Sequence, residues 1–178
     1  ISFLRAVPGL TLLAPRDGSE LAAMLAWALE QPGPVAIRYP RAAAGNTVPG
    51  EPFDPKGAIP PVEVKPGRDG VVFTFGPMVE VALAAAASLE PELSFAVVNV
   101  RALKPLDGEY IRAAVRGKKC AVTLEDHVLA GGFGSSILEI LGESAGTGSS
   151  LRVERIGYPD EFIPHGSIER LHEQYGLT

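Results

Sequence analysis

Arg38 and Arg41 flank Tyr39-Pro40 at the end of an apolar run, Val35-Ala36-Ile37, that reads as a strand. In open parallel sheets ligands sit beyond the carboxyl ends of strands, and a planar guanidinium fork matches phosphate or carboxylate. Arg41, just past such an end, is a candidate anion ligand; the plain alternative is a surface arginine. Arg38 precedes the proline and points to the face opposite Ile37, which suits a structural partner better. Glu125-Asp126-His127 directly follows a second apolar run, Cys120 to Leu124. Two carboxylates and an imidazole at a strand end could do acid–base work, because a neighbouring carboxylate raises a histidine's pKa toward neutrality. The commoner use of such residues is to cap and orient the turn that follows, and an interface or structural role is favoured here.

Gly131-Gly132-Phe133-Gly134 opens a helix and could cradle phosphate through free backbone N–H groups. The third glycine of G-x-G-x-x-G is replaced by Ile137, and six residues separate the run from its strand. The dinucleotide fingerprint is not met, so a tight turn and close helix packing explain the glycines better. His165 and His172 have no Cys, His or acidic partners at metal-ligand spacing and read as structural or solvent-facing. The sequence contains no Ser-His-Asp arrangement, no Walker-type loop and no Gly-Asp-Gly followed by Asn. Taken alone it offers no complete active site.

The elements that must position these residues follow from periodicity and punctuation. Leu10 to Leu13 is a buried strand. Asp17 with Glu20 three residues on has the logic of a capping box for a helix carrying Leu21, Met24, Leu25, Ala28 and Leu29. With the strand Val35–Tyr39 this makes a β-α-β unit. Ala42 to Gly70 is broken by prolines and glycines and reads as a linker with one edge strand at Val62-Glu63-Val64. Strands are then expected at Val71–Phe75, Phe95–Val100, Cys120–Leu124 and Leu151–Ile156. Helices alternate with them: Met78–Leu89, one capped by Asp107, one opening at Gly131, and a last one capped by Ser167. The expected fold is α/β, the end of one α/β domain (1–44), a linker (45–70), and a complete α/β domain with a mostly parallel sheet (71–178).

Composition bounds the partners. A net charge of −5 provides no basic face to neutralise a phosphate backbone, which argues against nucleic acid. Cys120 is the single cysteine, so neither an internal disulfide nor a thiolate metal cluster can form, in agreement with a reducing cytoplasm. Apolar runs fall far short of the roughly 20 residues that span a bilayer, and no membrane association is expected. The chain opens Ile1-Ser2-Phe3-Leu4-Arg5 with no Met, no signal peptide and no helix or strand signal leading in, so it is expected to be a fragment.

Three stretches of the first unit carry a family resemblance: Phe3-Leu4-Arg5-Ala6-Val7-Pro8-Gly9-Leu10, Ala14-Pro15-Arg16-Asp17, and Gly33-Pro34-Val35-Ala36-Ile37-Arg38-Tyr39-Pro40-Arg41. So do Phe73-Thr74-Phe75-Gly76, Val100 to Asp107, Glu125-Asp126-His127, Gly131-Gly132-Phe133-Gly134, and Gly157-Tyr158-Pro159-Asp160-Glu161-Phe162-Ile163-Pro164-His165-Gly166. Together they resemble the C-terminal part of the 1-deoxy-D-xylulose-5-phosphate synthases, of the transketolase-like superfamily. The resemblance implies the end of a pyrimidine-binding domain followed by a transketolase C-terminal-like domain, in a homodimeric enzyme that uses thiamine diphosphate and Mg²⁺. It further implies condensation of pyruvate with D-glyceraldehyde 3-phosphate, with loss of CO₂, toward isoprenoid, thiamine and pyridoxal precursors. By the same resemblance Arg41 is the substrate-binding residue, holding the phosphate of glyceraldehyde 3-phosphate. Catalytic, cofactor-binding and metal residues are expected before Ile1, so none is assigned here and the chain alone is expected to be inactive. The alternatives are the C-terminal part of a 2-oxoacid dehydrogenase-like β subunit, lacking the Tyr-Pro-Arg phosphate site, and a non-catalytic interaction module with a natural start near Gly67.

Overall fold

The computed structural model describes residues 1–41, 59–144 and 151–178. Most of the stretch expected as a linker, residues 42–58, lies outside the described residues, as do residues 145–150. Eight strands form two sheets among the described residues. The first has the order β2 (Val35–Ile37), β1 (Thr11–Leu13), β6 (Ala102–Lys104). The second runs β3 (Val62–Lys65), β5 (Phe95–Asn99), β4 (Gly70–Thr74), β7 (Cys120–Val128), β8 (Arg152–Tyr158).

In the larger sheet the pairings β5–β4, β4–β7 and β7–β8 are parallel, and only the edge strand β3 is antiparallel. Helices α3 (Met78–Ser88), α4 (Gly108–Ala114) and α5 (Phe133–Ser144) provide the crossovers that parallel strands require. The central strands β4 and β5 are buried over most of their length, as expected of strands covered on both faces. The expected edge strand at Val62–Val64 is present, and the expected caps are in place. Asp107 accepts from Tyr110 N at 2.9 Å, and Ser167 accepts from Arg170 N at 3.3 Å to open α6 (Ile168–Tyr175).

Three elements depart from the sequence reading. A short helix, α1 (Ser2–Arg5), stands where no element was expected; its last turn is held by Lys104, whose Nζ donates to the carbonyls of Arg5 and Val7. Strand β6 has no counterpart among the strands expected from the sequence. It leaves the larger sheet after Asn99 and pairs antiparallel with β1, so a strand from the later part of the chain completes the earlier sheet. β7 does not stop at Leu124: it continues through Val128 with a register shift, so Glu125, Asp126 and His127 belong to the strand and not to a loop after it.

The two sheets share one core. Leu12 and Ala14 of the first unit pack with Phe73, Phe75, Val98, Val100, Leu103, Ile111, Phe133 and Ile137 of the second. Phe75 and Phe133 meet edge to face, with ring centroids 5.2 Å apart. A buried ionic cluster crosses the same boundary. Glu20, in the first turn of α2 (Gly18–Leu29), accepts from Arg101 Nε at 2.6 Å and from Asn99 Nδ2 at 3.1 Å. The capping expectation holds with one change. Asp17 accepts from Glu20 N at 2.9 Å, but Glu20 returns to the backbone N–H of Arg16, also at 2.9 Å, one residue before the cap. Arg16 Nε lies 3.5 Å from Glu20 Oε1 and 3.4 Å from Asp17 Oδ2, so two arginines face two carboxylates with no net charge. Arg101 sits at φ 60°, a left-handed conformation that costs about 1–3 kcal/mol for a non-glycine residue. Its carbonyl accepts from Ala14 N at 2.8 Å, so this backbone turn is also tied to the end of β1.

Removing one member of a buried charge group leaves the others uncompensated, which typically costs about 3–5 kcal/mol. Glu20→Ala is therefore expected to lower unfolding stability by that amount in urea titrations of the full-length protein, and a loss below about 1 kcal/mol would show the cluster to be dispensable.

Candidate functional site

At the seam between the two units the end of β2 meets residues that follow β4 and lie in β7. β2 ends at Ile37, and Arg38 N still donates to Leu13 O at 2.8 Å, holding Arg38 to the ladder. The Arg38 side chain crosses to the other unit. Its Nη2 lies 2.9 Å from Asp126 Oδ2 and donates to the Asp126 carbonyl at 3.2 Å. Its guanidinium carbon sits 5.6 Å from the centroid of the Phe75 ring. Arg38 is thus a structural partner, as its position before Pro40 suggested. Tyr39 is exposed, and Arg41, two residues further on, is exposed beyond the strand end.

Glu125 is fully buried, and its carboxylate faces the start of α5. Oε2 accepts from Phe133 N and Oε1 from Gly134 N, both at 2.8 Å. A carboxylate from a neighbouring strand thereby satisfies two of the orphan donors at a helix start and sits at the positive end of its dipole. The glycines make room for it. A Cβ on Gly132 would collide with Glu125 Oε2 and the Val128 carbonyl, and one on Gly134 would meet Thr123 Oγ1 at 2.5 Å. The glycine turn is a packing device, as expected, and its N–H groups are already taken by the protein's own carboxylate. Arg155 completes the corner by donating to Leu129 O and Ser135 Oγ, both at 3.0 Å. Burial raises the Glu125 pKa above the usual carboxylate range, opposed by the Gly134 and Phe133 amides and by Arg155.

His127 does not behave as the acid–base reading required. Its pKa is lowered, first by burial and also by the nearby Arg38, which outweighs the help of the Val128 carbonyl and Asp126. Nδ1 lies 3.1 Å from the Val128 carbonyl oxygen. His165 is exposed on its loop, and His172 packs at a tilt against Tyr158, with ring centroids 6.4 Å apart. Among the described residues no group of three or more His, Cys, Asp or Glu is disposed to hold a metal ion. No helix among the described residues is long and apolar enough to cross a membrane.

The fold and the seam together define a class. Residues 61–178 match the transketolase C-terminal domain family and residues 1–46 match the transketolase pyrimidine-binding domain family. The chain belongs to the transketolase C-terminal domain family, joined to the end of a pyrimidine-binding domain. Among its relatives it is 46% identical over 183 aligned positions to the 1-deoxy-D-xylulose-5-phosphate synthase of Heliobacterium modesticaldum, covering all of this chain and 27% of that protein. It is 43% identical to the synthase of Thermus thermophilus, covering 99% of this chain and again 27% of that protein. The chain thus spans about a quarter of the curated relatives it matches. A solved structure described as a split gene transketolase, inactive β4 tetramer, superposes with a TM-score of 0.82 at 31% identity, covering 99% of this chain and 56% of that one. The transketolase of Leishmania mexicana shares the fold, with a TM-score of 0.72 at 22% identity over 99% of this chain and 24% of that one.

Glu20, Asn99 and Arg101 went unread as a group in the sequence. Glu20 carried a capping signal, but nothing local links it to residues about 80 positions away, and only the left-handed turn at Arg101 brings them together.

Because its folded pKa lies above its unfolded one, Glu125 contributes most stability while protonated and loses that contribution as pH rises through the raised value. Relative to wild type, Glu125→Gln should therefore gain stability as pH rises from near 4.5 toward 8, read by urea unfolding at a series of pH values. A gap that widens against the glutamine over that range would overturn the assignment. Glu125→Ala, which strands two buried N–H groups, is expected to cost about 2–5 kcal/mol near pH 4.5 and less as pH rises.

Proposed function

We propose that this chain is the C-terminal part of a thiamine-diphosphate-dependent synthase. The whole protein condenses pyruvate with D-glyceraldehyde 3-phosphate to 1-deoxy-D-xylulose 5-phosphate and CO₂, a precursor for isoprenoids, thiamine and pyridoxal. The observation that carries this reading is Arg41, exposed just past the carboxyl end of β2, where a guanidinium can meet a substrate phosphate. Whole-chain identity of 40–46% to proteins named as that synthase supports it. The thiamine diphosphate and Mg²⁺ are held outside this chain, in the remaining N-terminal part of the same cytoplasmic, homodimeric protein.

The open side of the first unit supports that arrangement. β2 is an edge strand, and beside it Leu21, Leu25, Leu29, Val35, Ile37 and Tyr39 line an apolar groove of about 470 Å³. Leu29 is 82% exposed and Leu25 54%, a poor outcome for a finished domain and an ordinary one for half of a sheet. The rest of the pyrimidine-binding domain covers this face. Residues 1–44 belong to that domain, and 71–178 form the C-terminal domain, with the division falling between them. The chain by itself contributes phosphate binding and packing, and turns over nothing; the relative described as a split gene transketolase is likewise named as inactive in its β4 form.

Arg41→Ala in the full-length protein tests the reading. A charge-assisted phosphate contact is worth about 1.5–3 kcal/mol, so the KM for D-glyceraldehyde 3-phosphate should rise roughly ten- to hundredfold while that for pyruvate stays nearly unchanged. Equal damage to both substrates would sink the assignment.

A further inference from the structure

Arg41 is exposed, and among the described residues the chain before it is what leads into its position. Pro40 locks its own φ, Tyr39 is exposed, and Arg38 is the last residue whose main chain and side chain are both held. Three residues of fully extended chain span at most about 11 Å, so a rotation at Arg38 acts on Arg41 over a short length of chain. The groups that hold the Arg38 side chain come from the other unit: the Asp126 carboxylate at 2.9 Å, the Asp126 carbonyl at 3.2 Å, and the face of Phe75. Arg38 Nη1 and Asp126 Oδ1 are both buried and have no hydrogen-bond partner among the described residues, so each charge depends on the other across one contact.

We propose that Asp126 is a positioning residue for substrate phosphate, acting through Arg38 to aim Arg41. The proposal rests on the reading of Arg41 given above and adds to it the device that sets the arginine's direction. An ion pair that only joined the two units would be redundant with the buried cluster of Glu20, Arg101 and Arg16, which already does so with less solvent contact. The Arg38–Asp126 pair differs in its place, at the last held residue before the phosphate ligand. Losing the Asp126 charge leaves Arg38 a half-buried cation without its counter-ion, free to leave Phe75 and turn the end of β2.

The test is Asp126→Asn in the full-length enzyme, an isosteric change that keeps the backbone contact and removes the charge. The expected result is a KM for D-glyceraldehyde 3-phosphate raised about five- to tenfold, with the KM for pyruvate within about twofold of wild type. With unphosphorylated D-glyceraldehyde as acceptor the substitution should have little effect, and in an Arg41→Ala background it should add nothing. A merely structural role moves both acceptors alike, and that result overturns the proposal. So does an unchanged KM in Asp126→Asn when Arg41→Ala shows its selective loss. If Arg41→Ala shows no selective loss, the phosphate reading itself has failed, a result distinct from the failure of Asp126 alone. Should Asp126→Asn not yield folded enzyme, Arg38→Lys gives the same reading. It keeps a charge for Asp126 and loses the planar fork and the stacking on Phe75, and it must produce the same acceptor-selective rise.

Discussion

The carboxylate of Glu20 is the point on which the two units of this chain depend. It enters from the first turn of α2 and is met by Arg101 and Asn99 from the end of the larger sheet, with Arg16 and Asp17 closing the group. Charges removed from water are stable only when geometry and hydrogen bonding are both good, so this cluster permits one arrangement of the units and penalises others. Its effect reaches the backbone. Arg101 takes a left-handed conformation, and the chain then turns out of the larger sheet to lay β6 against β1. The smaller sheet, and with it the position of β2, follows from that turn.

The second buried carboxylate, Glu125, shows the same chemistry spent differently. A strand-end carboxylate beside a histidine suggests proton transfer, and a glycine-rich helix start suggests a phosphate cradle. Here each removes the other's function, because the carboxylate fills the anion position at the start of α5. Two features that read separately as chemistry are together a cap. Burial also disfavours the charged form of His127.

Arg41 projects past β2 while Arg38 beneath it is gripped by Asp126 and Phe75 of the opposite unit. The apolar groove along α2 and β2 lies on the other side of the same strand. Leu25 and Leu29 leave this edge of the first unit apolar and exposed, and the chain spans 27% of the Heliobacterium modesticaldum relative.

The sequence by itself determined the α/β class, the order of the long elements, the helix caps at Asp17, Asp107 and Ser167, and Arg41's place just past the end of β2. Those features are local: a period of two or 3.6, an oxygen three residues before an N–H, a proline that ends a strand. Tertiary structure alone decided the rest. β6 is three residues long and exists because β1 offers a partner; α1 is one turn held by Lys104 from 99 positions away. The extension of β7 through His127 depends on β8 continuing beside it, and the joining of Glu20 to Arg101 depends on a turn that no propensity favours. Contacts between residues about 80 to 130 positions apart leave no periodic mark on either segment. Their energy comes from desolvated charge and backbone pairing that exist only once the chain has folded.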